Sequence, residues 1–239
     1  ADRIDILVDL MGYTEGNRMA IMALRPAPIQ VGYLRFPGSS GASFIDYMLT
    51  DPVVTPPSSQ PHYTEQLVRL PHCYQVNDHE QTVPDVAVSR EAEGLPADGY
   101  VYCCFNNSYK IEPTMFDVWM RILKAVPDSV LWLLRIHEPM EANLRHEAAA
   151  RGIDPERLIF TKKAPKLQHL ARHVLADLFL DTRYYTAHTT ASDALVAGVP
   201  IITTPGETFA SRVTASMLKA IGLDELVLRQ GQRLRPGDV

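Results

Sequence analysis

The chain has 239 residues, 46% of them hydrophobic and 21% charged, with a formal net charge of -5. That apolar content supports a sizeable core in one large domain or two small ones, and the mild acidity argues against a nonspecific nucleic-acid binder, which needs a basic stripe to neutralise phosphates. No apolar run approaches the roughly 20 residues of a membrane helix, no basic-then-apolar leader opens the chain, and Cys73, Cys103 and Cys104 lack the spacing of a disulfide framework or a zinc site. The expectation is a cytoplasmic protein with reduced cysteines and no resident metal.

In chain order, Ile4–Leu10 and Ile29–Leu34 read as buried strands, with Gly12–Gly16 and Pro37–Gly41 as the loops that follow strands. Asp46–Thr50 and Leu67–Leu70 are two further short strand candidates. Between them, Pro52, Pro56, Pro57 and Pro61 mark an extended loop. Residues 77–99 are polar and weakly periodic, with Pro84, Gly94, Pro96 and Gly99, and are the best candidate for a domain boundary.

From residue 100 the pattern is regular. Strand-like runs at Tyr100–Phe105, Val130–Leu134, Arg157–Phe160, Asp177–Leu180 and Pro200–Thr203 alternate with helix-like segments at Pro113–Ala125, Glu138–Arg151, Lys166–Val174 and Thr190–Ala197. A last helix is expected at Glu207–Ala220. This alternation is the signature of a parallel sheet with crossover helices. Because the chain opens directly on a strand and closes on Pro236-Gly237-Asp238-Val239, it reads as a fragment of a longer polypeptide.

In parallel sheets ligands bind just beyond the carboxyl ends of the strands. Polar and cationic residues follow the strands here: Asn106-Asn107-Ser108-Tyr109-Lys110, Arg135-Ile136-His137, Thr161 to Lys166, Asp181 to Thr190, and Thr203 to Glu207. His188-Thr189-Thr190 runs into a helix that Thr189 or Thr190 can cap, and a helix start favours an anion. The same run also describes a routine helix cap, and solvated loops are polar everywhere. Lys110 and Lys166, at the ends of different strands on the same rim, add the cations of a diphosphate site. A dinucleotide fingerprint, a Walker-type phosphate loop, His-Glu-x-x-His and Asp-x-Asp are all missing.

These residues, together with Gly12-Tyr13-Thr14, Ala23 to Gln30, Pro37-Gly38-Ser39-Ser40-Gly41, Asp46-Tyr47, Cys104 to Ile111, Val126 to Leu134, Ala164-Pro165-Lys166 and Pro205-Gly206-Glu207-Thr208, resemble the protein O-linked N-acetylglucosamine transferases, including SPINDLY-type bacterial members. The resemblance covers nearly the whole chain. It implies an α/β GT-B-like fold of two Rossmann-like lobes with parallel sheets, both incomplete at the chain ends. Residues 1–76 would be part of the acceptor-side lobe, 77–99 the link, and 100–239 the nucleotide-sugar lobe. It also implies inverting, metal-independent transfer from UDP-N-acetylglucosamine to Ser or Thr of proteins, with no cofactor. By position Lys110 matches the lysine that contacts the diphosphate and stabilises departing UDP, and Asn107 stands where other members have glutamine. Ala164, Pro165 and Lys166, with His169, Leu170, Ala171 and Arg172, match the segments holding uridine. His188, Thr189 and Thr190 match the diphosphate loop, and Asp193 a ribose or nucleotide contact. The partners implied are the UDP-sugar, a protein or peptide acceptor, and upstream tetratricopeptide repeats; no nucleic acid or membrane is expected. A base discussed for the family lies upstream of these residues, and Asp5 stands where some animal members carry histidine. The alternatives are another donor such as GDP-fucose, a sugar-nucleotide-binding module without turnover, and a UDP-sugar epimerase.

Overall fold

The computed structural model describes residues 3–229; the terminal residues named above, and the last part of the 100–239 expectation, lie outside them. The chain divides into two units. The first comprises residues up to Asn77 together with Gly206–Asp224, and the second the remainder.

In the first unit β1 (Ile6–Asp9), β2 (Ile29–Gly32), β3 (Tyr47–Thr50) and β4 (Gln66–Arg69) form a sheet in that order, every pair parallel. Alternation along a strand decides what each face meets. One face turns Gln30, Met48 and Leu67 inward. It shares a core with α1 (Met19–Ala23), a short helix that the sequence pattern does not announce: Met19 and Met22 pack with Ala42 and Ile45. The register puts Ile6, Val8, Ile29, Tyr47 and Val68 together on the opposite face, where they are exposed. The expectation of a buried first strand is therefore corrected. Ile6 is 56% exposed and Val8 42% exposed, although their neighbour Val31 on that face is buried.

The end of β3 is tied down by a carboxylate. Asp51, fully buried, accepts from Val53 N and Val54 N through Oδ1 and from Tyr74 N and Ser216 Oγ through Oδ2. Ser216 lies on α6 (Val213–Ala220), and Tyr74 packs edge-on against Phe209 just before that helix. These contacts place residues 206–224 with the first unit, where the sequence expectation put the whole of 100–239 in the second lobe. The expected continuous helix over 207–220 is a 3-10 turn at Phe209–Ser211 followed by α6.

In the second unit the strands are β5 (Val101–Cys104), β6 (Val130–Leu134), β7 (Leu158–Thr161), β8 (Leu178–Leu180) and β9 (Ile201–Ile202). The order is β7-β6-β5-β8-β9, again all parallel. Every residue of β5 and β8 is buried, as a sheet covered on both faces requires. The crossovers start as the sequence suggests. α2 (Pro113–Ala125) has Pro at its first position, and the Glu112 carboxylate accepts from Thr114 N and Met115 N. It buries Phe116, Trp119, Met120 and Leu123 at helical spacing. α3 (Glu138–Ala150) starts where His137 Nδ1 accepts from Met140 N. α4 (Lys166–His173) and α5 (Thr189–Val196) complete the layers, and Gly198 at φ +77° takes the left-handed turn that leads α5 into β9. Residues 78–99 cluster with this unit rather than standing apart as a link: Arg90 pairs with Asp177, and Thr161 Oγ1 donates to Glu93 at 2.7 Å.

Candidate functional site

Strands β5, β6 and β7 proceed one way across the second sheet, and β8 and β9 the other. The order reverses between β5 and β8, and the crevice beyond the carboxyl ends at such a point is where open α/β sheets bind ligands. The loops after these two strands are the ones that carry Asn107, Lys110 and His188-Thr189-Thr190.

Lys110 ends a 3-10 turn at Ser108–Lys110. Its Nζ donates to the Thr186 carbonyl at 2.9 Å and sits 4.0 Å from the centre of the Tyr185 ring. His188 packs on the same ring at 4.8 Å, and Tyr109 meets it at 6.0 Å. Lys110 and His188, 78 positions apart by their numbering, thus share one aromatic seat. Burial lowers the Lys110 pKa to about 8, against the opposing pull of Asp181 and the Cys104 thiol. The ammonium is charged at neutral pH, and an incoming anion would strengthen that charge.

Helix α5 begins here, but not as expected. The N-cap position falls on His188, with Ala191 N and Ser192 N donating to its carbonyl. The Thr190 hydroxyl donates to Asn106 Oδ1 at 2.6 Å instead of capping the helix. The reason is Asn106, a buried residue at the end of β5, whose Nδ2 donates to Thr182 Oγ1 at 2.8 Å and Asp181 Oδ1 at 3.3 Å. Asn107, its exposed neighbour, has its carbonyl bonded to Lys110 N. Thr189 is exposed at the first helical position.

The uridine-segment residues divide. Ala164, Pro165 and Lys166 form the entry to α4, with Pro165 at the N-cap and Lys166 exposed at the first position. Lys166 acts electrostatically on both His169 and Asp193, so α4 and α5 face each other through these three side chains. His169 Nε2 lies 3.9 Å from Asp193 Oδ2. That contact is not an ion pair. Burial first, then His173, Arg172 and Lys166, push the His169 pKa down to about 3, so the ring is neutral. Arg172 can only donate, and its NH2 reaches His169 Nδ1 at 2.8 Å; Nδ1 is then the acceptor, and Nε2–H is directed at Asp193. Burial raises the Asp193 carboxyl, opposed by Lys166.

Arg172, Leu170 and Ala171 turn their side chains into the core. Arg172 NH1 donates to Thr161 Oγ1 and the Lys162 carbonyl, both at 2.9 Å, and its guanidinium lies over the Phe105 ring. These three side chains shape α4 and are not presented on its surface. Sequence reasoning placed Asn106, Asp181, Thr182, Tyr185 and Thr203 in the polar loops of the rim but did not single them out as site residues. The available signal was Asp181 directly after the apolar run Leu178-Phe179-Leu180, where a buried strand end exposes a carboxylate to unpaired loop amides. Among the described residues no group of three or more His, Cys, Asp or Glu side chains lies together as a metal site.

In the first unit, loops 12–18 and 36–44 also converge. Gly12, at φ +50°, has no room for a Cβ, which would stand 2.3 Å from Phe36 Cβ. Glu65 accepts from Ser40 N at 2.6 Å and Ser39 Oγ at 2.7 Å, and also from the Ser40 hydroxyl. Burial pushes its carboxyl up, but the Ser40 and Ser39 bonds prevail and hold it below the usual range. Asp9, Gly12, Tyr33, Phe36, Ser40 and Glu65 line a small concave space.

Both units are wholly parallel α/β, and the polar loops of the second lie at the point where its strand order reverses. Glycosyl transferase family 41 matches residues 1–88 and 82–235. The chain belongs to this family. It is 48% identical over 227 residues to a probable UDP-N-acetylglucosamine–peptide N-acetylglucosaminyltransferase SEC of Arabidopsis thaliana, covering 93% of this chain and 23% of the relative. It is 34% identical over 236 residues to the tomato (Solanum lycopersicum) protein described as probable SPINDLY, covering 95% and 25%. An O-GlcNAc transferase of Thermobaculum terrenum, solved as a lysine-to-methionine mutant, superposes with a TM-score of 0.84 at 35% identity, over 94% of this chain and 42% of that one. The architecture is accordingly GT-B-like, and the chain spans about a quarter of the length of these two curated relatives.

Proposed function

We propose that this chain carries the donor site of an enzyme that moves N-acetylglucosamine from UDP-N-acetylglucosamine to Ser or Thr of proteins in the cytoplasm. Family membership and the names of the relatives support the substrate class. The observation that carries the chemistry is Lys110, a half-buried cation held on the Tyr185 ring and the Thr186 carbonyl, beside the start of α5.

In the proposed reaction an acceptor hydroxyl attacks the anomeric carbon and gives up its proton to water, the bond to the diphosphate breaks, and the electron pair leaves with UDP. Negative charge grows on the diphosphate as that bond breaks. A cation and helix-start N–H groups already oriented there lower the barrier, because they need no reorganisation at the moment of reaction. Lys166, His169 and Asp193, on the α4–α5 side, would hold the nucleoside end. Asp193 is suited to accept from ribose hydroxyls, and a neutral His169 to hydrogen-bond without adding charge.

The test is donor turnover by the full-length polypeptide with a Ser/Thr peptide. UDP-N-acetylglucosamine and GDP-fucose are compared as donors, and labelled sugar is read in the peptide. Transfer from the UDP donor with inversion at the anomeric carbon supports the reading. Transfer only from GDP-fucose, UDP binding without any transfer, or epimerised free donor without labelled peptide overturns it.

A further inference from the structure

The Asp181 carboxylate lies at the end of β8, 1% exposed, and collects four donors. Oδ1 accepts from Thr182 N at 2.8 Å, Ala187 N at 2.7 Å and Asn106 Nδ2 at 3.3 Å; Oδ2 accepts from Thr203 Oγ1 at 2.7 Å. Those partners come from the ends of β5, β8 and β9 and from both ends of the loop 182–187. Inside that loop Thr182 Oγ1 donates to the Tyr185 carbonyl at 2.6 Å. The loop is closed into one turn whose outer members, the Tyr185 ring and the Thr186 carbonyl, are the two groups that seat Lys110.

We propose that Asp181 is the positioning residue for Lys110: its carboxylate folds loop 182–187 into the seat of the ammonium and supplies the buried negative charge that keeps it cationic. The inference rests on the reading of Lys110 as the diphosphate contact only for its effect on turnover, not for its effect on the lysine. The Asp181 carboxylate acts on the Lys110 ammonium and favours its charged form, against the burial that disfavours it. The other titratable groups facing Lys110 are the Cys104 thiol, which burial pushes up to about 12, and the Tyr185 phenol, also raised first by burial. Both are neutral at physiological pH. Behind Tyr185 stand Tyr109 and His188. Asp181 is thus the anionic side chain among the groups that act on this lysine.

Two substitutions at one carboxylate separate this role from general loosening. In Asp181→Asn the amide oxygen can keep the three Oδ1 bonds, and the Thr203 hydroxyl can turn to accept from Nδ2, so the shape is retained and the charge is lost. In Thr203→Val the charge is retained with one donor fewer to neutralise it. The readout is competitive acetylation of Lys110 by acetic anhydride across pH, followed by mass spectrometry of its peptide in the full-length protein. The expected midpoint is near 8 in the parent. It falls by roughly one pH unit in Asp181→Asn and rises by roughly half a unit in Thr203→Val. Donor turnover at pH 7.5 falls about threefold in Asp181→Asn through kcat, as the smaller ammonium fraction requires, and its basic limb moves with the labelling midpoint. Unmoved midpoints, or midpoints moving in the same direction, overturn the proposal. If Asp181→Asn does not fold, Thr203→Val carries the test alone, and an unchanged or lowered midpoint there overturns it. Lys110→Met with full turnover would sink the diphosphate reading and leave the labelling result standing.

Discussion

The two sheets are built from similar parts and behave differently. Both are wholly parallel, and in both a strand ends on an aspartate that gathers four hydrogen bonds: Asp51 after β3 and Asp181 after β8. Asp51 spends those bonds on architecture, pinning its own turn, the loop at Tyr74 and helix α6. Asp181 spends its bonds on a loop that presents a ring and a carbonyl to a lysine. The chemistry of the device is the same. What differs is whether its partners lead to a free cation or to more of the core. The sheets differ as well in cover: β5 and β8 are buried along their whole length, while β1 is exposed at alternate residues.

The largest expected effect falls on the site. Lys110→Met should lower turnover by about 10²–10³-fold, the scale of removing one preorganised donor of charge stabilisation, with an unchanged far-ultraviolet circular dichroism spectrum; near-normal turnover breaks the contrast between the units. The sign of the pH dependence follows from the same residue. Its ammonium is present below about 8 and lost above, so activity should decline as pH rises through that value. A pH–rate profile flat to pH 10 excludes the lysine.

Next come the cores. Leu131 is fully buried in β6, and Leu131→Ala should cost about 2–5 kcal/mol in urea unfolding. Trp119 and Trp132 both lie in the second unit, so tryptophan fluorescence reports that unit. Asp51→Ala should follow, at about 1–3 kcal/mol, since it strands buried donors. Its loss should appear in global stability, with UDP affinity by calorimetry unaltered; a matched loss of UDP affinity would contradict the division of labour between the two aspartates. Thr190→Val removes one hydrogen bond to Asn106 and should weaken UDP binding by about fivefold, or ~1 kcal/mol. The smallest effect is on the bare face. Ile6→Thr should shift stability by no more than about 0.5 kcal/mol, because the residue buries little. A loss comparable to that of Leu131→Ala would show the face to be covered.

Much of the second unit was legible beforehand because its signals are local. Pro113 stands where a first-turn proline is tolerated, Gly198 where a helix ends, and runs such as Val130–Leu134 are short and apolar enough to read as strands. The first unit was harder to read. Ile4, Ile6, Val8 and Leu10 are as apolar as any buried strand, and a sequence does not state which face another layer will cover. Helix α1, five residues long, is too short for periodicity to show.

The same division holds at the site. That Lys110, Lys166 and His188-Thr189-Thr190 follow strand ends on one rim was legible in the sequence, since strand ends in a parallel sheet share one edge. That Thr190 serves Asn106 and not the helix, that Arg172 is a brace inside α4, and that Asp181 closes the seat of Lys110 were decided by tertiary structure. Each depends on a partner between 11 and 84 positions away by numbering, and for Thr190 and Lys110 that partner is reached only when β5 and β8 lie side by side. Local chemistry sets what a side chain can do, and the strand order sets which of those bonds it makes.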